Sequence, residues 1–63
     1  MLGPEVQKIG EYLARKLQAE TKAWADAYAV EGETPNTQLY YTNVVAASNA
    51  LRLFNEALAH IQN

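Results

Sequence analysis

Residues 39–61 read LYYTNVVAASNALRLFNEALAHI, and apolar side chains recur in this segment at alternating steps of four and three. That spacing keeps one stripe of side chains on a single face of an α-helix. Such a stripe needs a surface to cover it, and this requirement constrains the fold more than any other feature of the chain. We call the stripe the first seam of the second helix; its members are Tyr40, Val44, Ala47, Leu51, Phe54, Leu58 and Ile61.

The residues that begin and end helices predict a partner helix ahead of this segment. Pro4 suits the first turn of a helix, where its missing N–H costs nothing. Gly32 is typical of the residue that follows the last turn of a helix. Thr34 followed by Pro35 predicts an N-cap and the first residue of a new helix. The chain should therefore contain two helices joined by a short connection.

The predicted fold is all-α, with helices at about residues 4–31 and 35–62. Because their connection is short, the helices should run antiparallel as a two-helix hairpin. Sixty-three residues make one domain, so this single helical-hairpin domain takes in residues 1–63. The first helix is amphipathic, and one carboxylate, Glu20, intrudes on its apolar stripe. The apolar members of the stripe are Val6, Ile9, Leu13, Leu17, Trp24 and Tyr28.

Folding the chain at the turn brings together residues whose numbers sum to about 67. In this register the stripe of the first helix covers the first seam of the second helix along its whole length, and agreement at every level favours the hairpin. The expected layers are Val6–Ile61, Ile9–Leu58, Leu13–Phe54, Leu17–Leu51, Glu20–Ala47, Trp24–Val44 and Tyr28–Tyr40.

Each helix also carries a second, weaker seam about 100° from the first, and both second seams should point to the same side of the hairpin. A chain this short buries only roughly 60% of its unfolded surface. It has no cysteine and one histidine, so disulfides or a metal cluster are not expected to stabilise it. We therefore predict a two-fold homodimer, a four-helix bundle with coiled-coil packing. The predicted interface contains Tyr12, Lys16, Ala19, Ala23, Val30, Leu39, Ala46, Ala50, Leu53 and Ala57.

Two polar residues lie on or near the apolar stripes. For Glu20 we expect an ion pair with Lys16, four residues earlier, rather than a role as a proton carrier or ligand. The sequence leaves open whether Glu20 is buried and functional. Asn43 lies about level with Trp24, so either its carbonyl accepts the indole N–H or its amide is exposed at the edge of the seam.

The turn end of the hairpin is a candidate contact for a protein partner. Tyr41 and Val45 should project from the second helix away from both seams, one turn apart. Tyr28 and Tyr40 lie nearby, and tyrosine is enriched in binding patches.

A basic stripe on the first helix is a candidate contact for RNA. Lys8, Arg15 and Lys22 are spaced by seven on the exposed face, and a two-fold dimer would present the stripe twice. Glu11 and Asp26 lie in the same stripe, and the formal net charge of the chain is −2. These acidic residues favour a solvated surface over a nucleic-acid site.

The sequence contains no credible catalytic, cofactor-binding or metal-binding constellation. We therefore expect a non-catalytic protein–protein interaction module, a small adaptor, regulator or assembly subunit acting as a homo-oligomer with an unidentified protein partner. The alternatives are an RNA-binding hairpin dimer and a subunit of a polymeric helical assembly. Because no apolar run reaches membrane length, we expect no membrane contact and a cytoplasmic location.

Overall fold

The computed structural model describes residues 3–62, and it confirms the helical hairpin. Helix α1 spans Pro4–Glu31 and helix α2 spans Pro35–Gln62. The two helices pack against each other along their length and run antiparallel across a three-residue connection. Both helices begin at a proline, as the sequence predicts.

The end of α1 is fixed by a glycine in a conformation that other residues rarely adopt. Gly32 has a φ of 69°, and its N–H donates to the Tyr28 carbonyl at 2.8 Å. A side chain at this φ would strain the backbone, so glycine is the residue that suits the position. The predicted C-cap is confirmed.

The start of α2 is fixed by a reciprocal pair of threonines. The Thr37 N–H donates to the Thr34 Oγ1 at 3.1 Å, and the Thr34 N–H donates to the Thr37 Oγ1 at 2.8 Å. This is the arrangement of a capping box, with threonine at the position where glutamate or glutamine is usual. The Thr37 hydroxyl also lies 2.9 Å from the Gly32 carbonyl, and its side chain is almost fully buried, with 1% exposed. The predicted N-cap at Thr34 is confirmed, whereas the role of Thr37 was not predicted from the sequence.

The first seam of α2 lies against α1, as expected from its spacing. Its members from Tyr40 to Leu58 are all half-buried. Ile61 is the exception, with 67% of its surface exposed, so the expected cover from Val6 does not reach it. On α1 the half-buried positions step by four and three as well, and they include Gly10 and Ala27 where the sequence pointed to Ile9 and Tyr28. Gly10 and Ala27 thus lie on the line that faces α2, while the larger side chains of Ile9 and Tyr28 lie at the sides of this line.

Gly10 of α1 lies in close contact with a side chain of α2. A Cβ built on this residue would lie 3.0 Å from Cε2 of Phe54. The predicted register paired Phe54 with Leu13 instead. The ring fills the space that the missing side chain leaves, which explains why a poor helix former is placed inside α1.

The hairpin is one layer thick. Its principal extents are 46, 17 and 11 Å, and its radius of gyration is 14.5 Å. A compact chain of this length would have a radius of gyration of about 11 Å. Among the residues whose side chains are described, no hydrophobic residue is fully buried. The two helices therefore cover only the seams that face each other, and both broad sides of the hairpin lie in solvent.

Replacing Thr37 with valine should destabilise the fold by about 1–2 kcal/mol, because valine keeps the shape but leaves the Thr34 N–H without its acceptor. Urea unfolding followed by circular dichroism measures the change. Thr42→Val is the matched control, since the Thr42 hydroxyl is exposed and donates only to the Gln38 carbonyl in its own helix; it should change stability by less than about 0.5 kcal/mol. Equal effects of the two substitutions would contradict the role of Thr37.

A double-mutant cycle tests the contact between Gly10 and Phe54. Alone, Gly10→Ala should gain little or lose stability, because the gain in helix propensity is offset by the steric conflict with the ring. In a Phe54→Leu background the same change should stabilise the protein by about 1 kcal/mol, the propensity difference between glycine and alanine. The free energy of unfolding of the four proteins gives the coupling. Additive effects would show that the ring does not press on residue 10.

Candidate interaction surfaces

One broad side of the hairpin holds the predicted second seams, and we call it the second face. Tyr12 and Lys16 of α1 line a shallow groove there together with Ala46 and Ala50 of α2. Residues from the second seam of each helix therefore lie along a single surface of the hairpin. No partner chain is present, so the oligomeric role of this surface stays a prediction.

The second face exposes large apolar side chains at both of its ends. Val30 and Leu39 lie at the turn end, with 87% and 68% of their surface exposed. Tyr12 and Leu53 lie toward the open end, and more than half of each is exposed. The middle of the face is built from small residues: Ala19, Ala46 and Ala50 are exposed and Ala23 is half-buried. The middle of the face therefore carries no large apolar side chain, so a helix of another chain can approach it closely.

Lys16 and Glu20 form an ion pair at the edge of this face. The Lys16 Nζ lies 3.5 Å from Oε1 of Glu20, across one turn of α1. The Glu20 side chain is 21% exposed and the Lys16 side chain is 52% exposed. The expected pairing of Glu20 is confirmed, and it places one cation and one anion together on this side of the hairpin.

The suggested hydrogen bond between Asn43 and Trp24 does not form in the described structure. Asn43 lines the groove of the second face beside Tyr12 and Lys16, and its side chain is exposed. The Trp24 ring packs instead toward the other side of the hairpin, where it meets Tyr28 and Tyr41. The alternative expectation, an exposed amide at the edge of the seam, is the one that the structure supports.

Three aromatic rings meet on the opposite side of the hairpin, near the turn. The ring centroids of Trp24 and Tyr28 are 5.4 Å apart, with an interplanar angle of 43°. Those of Trp24 and Tyr41 are 5.6 Å apart at 56°. The sequence suggested that Tyr41 projects away from both seams. In the structure, Tyr41 packs against Trp24, the one tryptophan of the chain. Val45, one turn along α2, is 40% exposed.

These rings border an open groove of about 280 Å³, which we call the aromatic groove. Its other walls are the turn residue Glu33 and the first turns of α2. It lies on the side away from the second face, so the two surfaces do not overlap. The groove is lined by Trp24, Tyr28, Glu33, Thr37, Gln38 and Tyr41.

The segment that forms the turn end of the hairpin carries more acidic than basic residues. No lysine or arginine occurs between Lys22 and Arg52, whereas Asp26, Glu31 and Glu33 do. Asp26 pairs with Lys22 at 3.0 Å. Glu31 accepts hydrogen bonds from the side chains of Thr34 and Asn36. Within residues 3–62, the Glu33 carboxylate takes part in no hydrogen bond or ion pair, which makes it the carboxylate of the turn that remains available to a ligand.

The basic stripe of α1 is exposed along its length, at Lys8, Arg15 and Lys22. The ammonium of Lys22 is engaged with Asp26, which lowers the positive charge that the stripe offers to a nucleic-acid backbone. RNA contact through these residues stays a prediction.

Comparison with protein families, with curated proteins and with solved structures finds no match to this chain. Over the residues that the structure describes, neither helix has an apolar stretch long enough to cross a bilayer. The function of the chain is therefore inferred from its own surfaces, the second face and the aromatic groove.

Glu20→Leu should stabilise the protein by about 1 kcal/mol, because it removes a partly desolvated carboxylate and extends the apolar seam. Thermal and urea unfolding at one fixed protein concentration measure the effect, since self-association would otherwise alter the apparent stability. Glu11→Leu, at an exposed glutamate of the same helix, is the control and should be close to neutral. A loss of stability in Glu20→Leu would show that the pair with Lys16 contributes more than the apolar contact that replaces it.

Proposed function

We propose that this protein is a non-catalytic protein–protein interaction module that self-associates through the second face into a four-helix bundle. The observation that supports the proposal is the extent of surface that the hairpin leaves in water. Its accessible surface is 4890 Å², whereas a compact monomer of 7.0 kDa would expose about 4,000 Å². The excess is similar to the roughly 800 Å² that each partner buries in a stable interface.

The chemistry of the second face favours a second copy of the chain as its occupant. A stable domain places at least two layers of secondary structure around one core, and the hairpin supplies one layer. The face presents small residues in its middle and large apolar residues at its ends, so two copies related by a two-fold axis can interdigitate. Its one charged pair, Lys16 and Glu20, is already neutralised within the chain, so pairing leaves no lone charge in the interface.

In such a bundle the role of the protein is to present its outer surfaces twice, in a fixed relative orientation. The aromatic groove and the basic stripe both lie outside the second face and stay accessible. A small adaptor, regulator or assembly subunit works in this manner, because two identical sites on one rigid body bind a partner with repeated motifs more tightly than either site alone.

Light scattering coupled to gel filtration tests the proposal. We expect a mass of about 14 kDa at micromolar concentration, twice the 7.0 kDa of one chain. Ala50→Glu should shift the mass to that of one chain, because it places an unpaired carboxylate in the centre of the apolar interface. Ala59→Glu is the matched control: Ala59 is also an exposed alanine of α2, but it lines a groove on the opposite side with Ser48 and Arg52, and this variant should remain dimeric.

The other outcomes of this experiment are decisive as well. A wild-type mass of 7.0 kDa, or equal dissociation by both substitutions, would contradict a dimer built on the second face. A broad series of high masses that Ala50→Glu abolishes would favour the polymeric assembly, in which copies associate head to tail through the same face.

A further inference from the structure

We propose that the aromatic groove binds the guanidinium group of an arginine side chain from a partner polypeptide. The proposal concerns a surface separate from the one that mediates self-association, and it does not depend on the dimer. The juxtaposition of three aromatic rings with one unengaged carboxylate carries it: Trp24, Tyr28 and Tyr41 beside Glu33.

All three rings line the groove, and Trp24 packs against both tyrosines. Trp24 is tilted by 43° from Tyr28 and by 56° from Tyr41, with both neighbours at centroid distances under 6 Å. A cation within about 6 Å of an aromatic face is attracted to it, most strongly to tryptophan. About half of each tyrosine is exposed, so a cation can reach this aromatic cluster from solvent.

The aromatic groove is open to solvent, and its volume is about 280 Å³. One side chain of a bound segment fits this space, while the rest of the segment would lie along the open mouth between α1 and α2.

The polar groups of the groove distinguish guanidinium from a quaternary ammonium. Glu33 supplies a carboxylate with no partner among the described residues, and Gln38 supplies an amide oxygen. A quaternary ammonium has no N–H to donate to these acceptors. Guanidinium is planar, stacks on aromatic faces and donates two parallel hydrogen bonds to a carboxylate. Guanidinium can therefore interact with both the aromatic rings and the carboxylate of the groove.

The charges of the surrounding segment also favour a cationic ligand. The half of the chain that builds the turn, residues 23–51, contains three acidic residues and no basic ones. No cation of the protein itself competes for Glu33 in this segment, and an approaching basic segment meets a segment of net negative charge.

The test uses the full chain and the fluorescence of Trp24, which is the only tryptophan and lies in the groove. The probe is the blocked peptide Gly-Arg-Gly, titrated at constant ionic strength so that screening does not change. The comparison peptides carry citrulline, which keeps the shape but has no charge, or lysine. We expect a saturable change with the arginine peptide, and affinity about tenfold weaker with citrulline. Equal affinity for the arginine and citrulline peptides, equal affinity for the lysine peptide, or no saturable change would overturn the proposal.

Two substitutions assign the effect to the groove. Glu33→Gln should weaken binding of the arginine peptide about tenfold and weaken binding of the neutral citrulline peptide much less. Glu11→Gln removes the same charge at the far end of the hairpin and should have no effect. Tyr41→Leu should weaken binding, whereas Tyr41→Phe, which keeps the ring, should retain it; circular dichroism checks the fold of each. Unchanged affinity in Glu33→Gln would refute the assignment.

The same titration with Ala50→Glu separates this proposal from the proposed function. Because the groove and the second face lie on opposite sides, arginine binding should be the same in this variant as in the wild type. A dissociated chain that still binds the peptide would leave the groove assigned although the dimer is lost, and a dimer that does not bind it would remove the groove alone.

Discussion

The contact between one stripe of α1 and one stripe of α2 is the constraint on which the rest of the structure depends. Two helices can cover only the strips of surface that face each other, so they do not fully enclose the apolar side chains between them. Apolar residues at the centre of the seam, such as Leu17, Leu51 and Phe54, are therefore half-buried rather than buried. The stability of the single chain comes from many partial contacts, and a large part of its apolar surface remains exposed.

Within that seam, small residues let the helices approach closely, and this close approach provides contact area that large side chains would otherwise provide. Gly10 lets the Phe54 ring lie almost on the backbone of α1. Ala27 and Ala47 are similarly small and half-buried. A wider seam filled by large side chains on both helices would hold the helices further apart and leave more of each ring in water. The destabilising propensity of a glycine inside a helix is thus offset by packing.

The sequence predicted those parts of the fold that depend on backbone periodicity and on helix ends. The spacing from Tyr40 to Leu58 defined the buried stripe of α2, and Gly32 and Thr34 defined the turn, because periodicity and capping are local properties. The sequence did not predict that Phe54 lies over Gly10 or that Tyr41 packs on Trp24. These contacts depend on the axial register of the two helices and on side-chain rotamers. The position of a residue on the helical wheel determines neither of them.

The turn connects the fold to the aromatic groove. Thr37 is bonded to Thr34 and lies within hydrogen-bonding distance of the Gly32 carbonyl, and it also forms part of the groove wall beside Glu33. The bonds that begin α2 therefore also hold the loop that carries the carboxylate, while Trp24 is held in the seam. A site whose walls are fixed before a ligand arrives loses less conformational freedom on binding. The sequence predicted a partner contact at this end of the hairpin from Tyr41 and its neighbour Tyr28, but it did not predict the groove, because only the packed hairpin brings the three rings together.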